Sequence, residues 1–209
     1  MNSERKQIIS LAITGASGVQ YGFRLLEILL QTNHTVYLMV SKAAQVVIGM
    51  ETDIALPGRC KEMQAFLTEK YGCKVSANGE PQLRVFGEDE WTAPTASGGG
   101  LVDAMVVCPC SMGALSAIAT GASNNLIERS ADVMLKERRK LILVPRETPY
   151  SDIHLENMLK LSRMDAVILC ANPGFYNKAE TINDLIDFVV AKILDQLNVK
   201  HQLQPRWGE

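Results

Sequence analysis

Three groups of residues have types and spacings that could do chemistry. The first is "TGASGVQYG" (14–22), where an apolar run stops at Thr14 and Gly15, Ala16, Ser17, Gly18 and Gly22 follow. Glycines after a strand let backbone N–H groups close on an anion at a helix start. A serine among them adds a hydroxyl that both donates and accepts. The spacing G-x-x-G-x-x-x-G departs from the dinucleotide pattern G-x-G-x-x-G and suits a mononucleotide better. The second group is "LVPRETP" (143–149), a cation and a carboxylate, Arg146 and Glu147, held between two prolines. Proline stiffens the chain, and such a pair suits anion binding beside an acid/base group. The third is Asn125, Arg129, Asp132 and Lys136, spaced i, i+4, i+7, i+11 along one helical stripe. Each group has a plainer alternative: a tight turn with close helix packing, a structural ion pair, and a solvated helix face.

These residues need elements to position them. "IISLAIT" (8–14), "TVYLMV" (35–40), "DAMVVCP" (103–109), "KLILVP" (140–145) and "AVILCA" (166–171) are short apolar runs that read as strands, with one more short strand at "LRVF". Helical spacing predicts helices over 19–31, 42–50, 61–71, 111–119, 124–139, 151–162 and 181–197. Continuous apolar strands alternating with helices predict a parallel sheet covered on both faces, a three-layer Rossmann-like or flavodoxin-like α/β domain. Ligands of such sheets sit beyond the carboxyl ends of the strands. Ser41 and Ser111 stand at two of those ends, each a natural helix cap. Pro109 is expected to end its strand. Tyr176 follows the last strand, and Trp207 stands in a polar tail. Residues 76–100 read as a long loop, a feature that in compact domains tends to be functional.

Composition narrows the classes. The chain has 209 residues, 47% hydrophobic, with a net charge of −2. That fits one domain over 1–209, with 198–209 an irregular tail. It argues against a disordered or fibrous chain and against a nucleic-acid-binding surface. No apolar stretch approaches the ~18 to 20 residues of a membrane helix, and no signal-like N-terminus is visible. The five cysteines follow no disulfide or zinc spacing, which suits a reducing compartment such as the cytoplasm. No H-x-x-x-H or aspartate cluster points to a metal, and His34 and His154 read as structural or surface residues.

Taken together, "TGASG", "SKAAQ", "ETD", "CPCS", "NNLIERSADVMLKERR", "LVPRETP", "HLENMLKL", "PGFY" and "PRWGE" cover nearly the whole chain. In this combination the chain resembles the UbiX/Pad1 family of flavin prenyltransferases. The resemblance implies non-covalent binding of FMN and a reaction of reduced FMN with dimethylallyl monophosphate. A fourth ring would form through N5 and C6, and phosphate would leave. The product, prenylated FMN, would serve a UbiD-type decarboxylase in ubiquinone biosynthesis or a related pathway. A homo-oligomer, a dodecamer with active sites where subunits meet, is implied as well.

By the same resemblance, Gly15, Ala16, Ser17, Ser41, Cys110, Ser111, Met112, Gly113 and Arg146 match FMN-contacting positions. Arg129, Lys136, Tyr176 and Lys192 match the group that holds the prenyl phosphate. Ser17, Glu51 and Glu147 match residues placed for proton movement. Trp91 and Trp207 match aromatics near the prenyl chain, and the loop 97–100 lies near the phosphate. Diphosphate prenyltransferases commonly use Mg²⁺ on aspartate-rich motifs, and this sequence has no D-D-x-x-D. Fixed cations would take that role here. Two other readings stand beside this one: a phosphopantothenoylcysteine-type decarboxylase, which would need a catalytic histidine after the first helix, and a flavin carrier without catalysis. "TGASG" also resembles the first loop of short-chain dehydrogenases, but no Tyr here is followed by Lys four residues later.

Overall fold

The computed structural model describes residues 6–75 and 79–204. Six strands form one parallel sheet: β1 (Ile8–Ile13), β2 (Thr35–Val40), β3 (Leu83–Phe86), β4 (Ala104–Cys110), β5 (Lys140–Pro145) and β6 (Val167–Ile168). Their order is β3-β2-β1-β4-β5-β6. Leu11 of β1 lies opposite Leu38 of β2 on one side and Val106 of β4 on the other. From β1 the chain first builds outward through β2 and β3. It then returns to the other side of β1 and builds outward through β4, β5 and β6. The reversal between β1 and β4 opens a crevice at their carboxyl ends, where ligands of doubly wound sheets bind.

Among the described residues, seven helices cover the sheet: α1 (Val19–Gln31), α2 (Lys42–Glu51), α3 (Cys60–Tyr71), α4 (Met112–Thr120), α5 (Leu126–Lys136), α6 (Asp152–Ser162) and α7 (Ile182–Leu197). Alternate strand residues point to opposite faces. Leu11, Leu38, Val106 and Ile142 pack under α1 and α7. Ala12, Met39, Val107 and Leu143 pack under α4, α5 and α6. Both faces are therefore dry, which is why the strands read as continuous apolar runs. Among the described residues, no helix is long and apolar enough to cross a membrane.

The structure corrects three expectations. β4 continues past Pro109 to Cys110, through a cis Cys108–Pro109 peptide. Proline offers no N–H to the ladder, and the pairing with β5 shifts register between Val107 and Cys110 instead of stopping. β6 is a two-residue edge strand, although Leu169 N–H and Ala171 N–H still donate to Leu143 and Pro145 of β5. α5 is shorter than 124–139: the Asn125 side chain caps it by accepting from Glu128 N–H, and Arg138, at φ 51°, ends it. The other boundaries fall within about two residues of the sequence reading, as helix ends do. Residues 198–204 carry no helix or strand. Trp207 lies outside the described residues.

Candidate active site at the carboxyl edge of the sheet

The first loop is tied to the fourth strand by a residue that sequence reasoning passed over. Thr14, buried at the end of β1, donates its hydroxyl to the Pro109 carbonyl at 2.8 Å and accepts from Ser111 N–H at 2.8 Å. A buried hydroxyl with both roles satisfied joins two loops across the crevice. The only sequence signal was a polar residue ending an apolar run just before the glycines.

The glycines have separate reasons. Gly18 sits at φ 97°, in the left-handed region that favours glycine, just before α1. A side chain on Gly22 would run into the Cys108 carbonyl oxygen, so its absence lets α1 lie directly on β4. A Cβ on Gly15 would come within 2.5 Å of Ala43 Cβ, so the loop presses on the head of α2.

The Ser17–Gly18 peptide lies between a cation and a carboxylate. Arg146, following β5, donates its Nε to the Ser17 carbonyl at 3.1 Å, and its backbone N–H reaches the Cys110 carbonyl. One side chain thus bridges the β5 and β1 loops over the end of β4. Glu51, the last residue of α2, accepts from Gly18 N–H at 2.8 Å. A carboxylate at a helix N-terminus is favoured by the helix dipole.

Ser41 and Ser111 cap α2 and α4 by accepting from Ala44 N–H (3.1 Å) and Ala114 N–H (3.3 Å). Each hydroxyl keeps its own proton to donate. The α4 cap leaves the N–H groups of Met112 and Gly113 to other acceptors. Gly113 is exposed, with open space where a side chain would be. Cys110 is fully buried, so only its backbone can meet a ligand, and burial pushes its thiol up to about 12. Two of the three helix heads already hold a carboxylate, because Glu88 accepts from Lys42 N–H at 3.1 Å on α2. Glycine approach, two serine hydroxyls, open amides and one arginine fit a phosphate-bearing mononucleotide such as FMN.

Glu147 is half-buried beside Arg146 and accepts from Thr148 N–H at 3.1 Å. Tyr150, not singled out from sequence, completes this corner. Burial, a hydrogen bond with Cys170 and the nearby Glu147 charge push its phenol up to about 12, against the pull of Arg146. It stays protonated at neutral pH.

The residues matched to the prenyl phosphate form two sets. Arg129 and Lys136 lie on the outer stripe of α5, whose inner residues Leu126, Ile127, Ala131 and Met134 are buried. Arg129 donates Nε to the Ala96 carbonyl at 3.0 Å and pairs with Asp132 at 2.8 Å, while Lys136 pairs with Glu137. Tyr176 and Lys192 belong to the other face of the sheet. Both contact Phe188 of α7, Tyr176 edge-on at 5.5 Å and Lys192 Nζ at 5.7 Å from the ring centre. One chain does not bring the two sets together. Trp91 stands 48% exposed on the loop after β3. His34 is buried at the opposite, amino edge of the sheet, where its Nδ1 accepts from Gln7 N–H. It is thus remote from the crevice in which a cysteine decarboxylase of this fold would need it.

A parallel doubly wound sheet with this phosphate-ready edge fits a flavoprotein, and the family model described as Flavoprotein matches residues 1–194. The chain is 59% identical over 201 residues, 96% of its length and 94% of the relative's, to a flavin prenyltransferase UbiX of Pseudomonas aeruginosa. A crystal structure of AnUbiX (PadA1) in complex with FMN and dimethylallyl pyrophosphate superposes with a TM-score of 0.84 at 39% identity, covering 98% of this chain and 99% of that one. A dodecameric FMN-dependent UbiX-like decarboxylase from Escherichia coli O157:H7 superposes at 0.83 with 36% identity, over 97% and 100%. Within the flavoproteins, this chain belongs to the UbiX family of flavin prenyltransferases.

Proposed function

We propose that this chain joins the dimethylallyl group of dimethylallyl monophosphate to N5 and C6 of reduced FMN, releases inorganic phosphate, and hands prenylated FMN to a UbiD-type decarboxylase. The observation that carries the reading is the Ser17–Gly18 peptide held between Arg146 and Glu51 at the sheet's topological switch, with Glu147 alongside Arg146. The loop 15–17, Ser41, residues 110–113 and Arg146 would hold FMN. Reduced FMN supplies the electron-rich ring atoms that take up the allyl carbon. Ser17 and Glu51 hold and move a proton near N5, and Glu147 delivers one to the departing phosphate.

Breaking the C–O bond builds negative charge on phosphate oxygen, and fixed cations stabilise it most where water is excluded. Arg129 offers a planar donor fork and Lys136 and Lys192 offer point charges. Arg129 and Lys136 lie on one face of the sheet and Lys192 and Tyr176 on the other, so the phosphate site is built where copies of the chain meet. The dodecameric UbiX-like relative supports that reading. Trp91 and Trp207 would present ring faces to the allylic cation. The chain works as one domain, in the cytoplasm, where its five cysteines, all free, remain reduced.

Anaerobic incubation with FMN, a reductant and dimethylallyl monophosphate, followed by mass spectrometry of the flavin, tests the assignment. The flavin gains one C5 unit. Unchanged FMN would overturn the proposal, and CO₂ release from a phosphopantothenoylcysteine substrate would replace it. A parallel arm with dimethylallyl pyrophosphate separates the two donors.

A further inference from the structure

The segment from the turn Pro94–Ala96 to Val102 lies along α5, and one side chain organises its end. Arg139, between α5 and β5, donates to three of its carbonyls: Gly98 at 2.6 Å, Gly100 at 2.7 Å and Val102 at 3.4 Å. Only a guanidinium carries enough donors in a fixed fork to do this. In a trans peptide the C=O and the next N–H point in opposite directions. Drawing the carbonyls of Gly98 and Gly100 onto Arg139 therefore turns the N–H groups of Gly99 and Leu101 away from it; the Gly99 N–H donates to Ser97 Oγ at 3.4 Å, and both residues are exposed. The same loop touches the cation stripe. A Cβ on Gly98 would collide with the Glu137 carboxylate and lie 3.0 Å from Lys136 Nζ, and a Cβ on Gly100 would collide with the Pro94 carbonyl. Arg129 holds the start of the segment through the Ala96 carbonyl.

We infer that Arg139 is a positioning residue for the prenyl donor: it fixes the peptide planes of residues 98–102 against Lys136, so that loop and cation together form one wall of the phosphate site. The inference rests on the phosphate role proposed above for Lys136. Arg139 itself makes no contact with substrate; it acts through the loop.

The test uses the full chain with FMN bound. In Arg139→Lys and Arg139→Ala, amide hydrogen exchange of Gly100, whose N–H donates to the Ser97 carbonyl at 3.0 Å, rises about tenfold or more while the sheet keeps its protection, the size expected from losing charge-assisted hydrogen bonds. KM for dimethylallyl monophosphate rises by a similar factor, with kcat and FMN affinity little changed. Gly98→Ala leaves Arg139 in place but displaces the Lys136–Glu137 pair, and raises KM likewise; it decides the matter if the Arg139 variants do not fold. Unchanged Gly100 exchange, or parallel losses of kcat and FMN affinity, would overturn the inference. Failure of the wild-type chain to prenylate FMN would instead sink the functional reading, while the exchange data would still report whether Arg139 holds the loop.

Discussion

Thr14 carries more of the site than its single hydroxyl suggests. Its side chain satisfies a carbonyl on one loop and an amide on another, so Thr14→Val leaves the Ser111 amide without its partner and the Pro109 carbonyl with only the Thr14 backbone N–H, at 3.2 Å. The cost should be about 1–3 kcal/mol of unfolding free energy, read as a lower urea midpoint, with weaker FMN binding because Ser111 is no longer tied to the first loop. The ion pairs of Arg129 and Lys136 are half-exposed, so under the phosphate role proposed for them their loss should tell on the reaction more than on stability. Lys136→Met should lower kcat/KM by about 2–4 kcal/mol of transition-state stabilisation, the scale of a lost oxyanion donor, with the melting temperature nearly unchanged. Tyr71 gives a pH-dependent term. Burial, with the Glu27 and Cys73 charges, pushes its phenol up to about 12, whereas in the unfolded chain it titrates near ~10. Below that both states are protonated and the full stabilisation is present. As pH rises toward 12 the unfolded chain ionises first, so stability falls through this window. Urea midpoints across that range should show a shallower fall in Tyr71→Phe.

Among the elements, α5 was legible because its two stripes differ so sharply. Leu126, Ile127, Ala131 and Met134 gave the buried face, and the charged stripe opposite was read correctly as the outer one. Its length was not legible, since a cap such as Asn125 and a left-handed residue such as Arg138 act through local hydrogen bonds and φ rather than periodicity. β4 shows the same limit: Pro109 reads as a stop, yet the ladder passes it by shifting register. α1 packs on β4 through Gly22, and Gly22→Ala should separate them, costing roughly 1–3 kcal/mol by overpacking, measurable by thermal unfolding. The close fit at this contact is invisible from a G-x-x-x-G spacing, which only said that small residues were wanted.

At the scale of the molecule, the parallel sheet divides the residues proposed to hold the prenyl phosphate between its faces. α5, with Arg129 and Lys136, covers one face, and α7, with Lys192, covers the other. If the site forms between copies, a Lys136→Met chain and a Lys192→Met chain should complement each other. Co-assembled, they should make prenylated FMN at a rate well above either variant alone, since some sites then draw an intact residue from each copy. A mixed preparation no more active than its components would show that the two sets never share a phosphate.

Taken alone, the sequence determined the α/β class, the parallel sheet and the loops at its carboxyl edge from which the site is proposed. Apolar periodicity and loop composition are local properties, and they are written in consecutive residues. Only the tertiary structure decided which of those residues meet. It showed that Thr14 joins two loops, that Arg146 reaches back to Ser17, that Arg139 gathers three carbonyls, and that the cations part to opposite faces. Those outcomes depend on strand order and on which side of the sheet each helix crosses, and both are settled by packing between segments far apart in the chain.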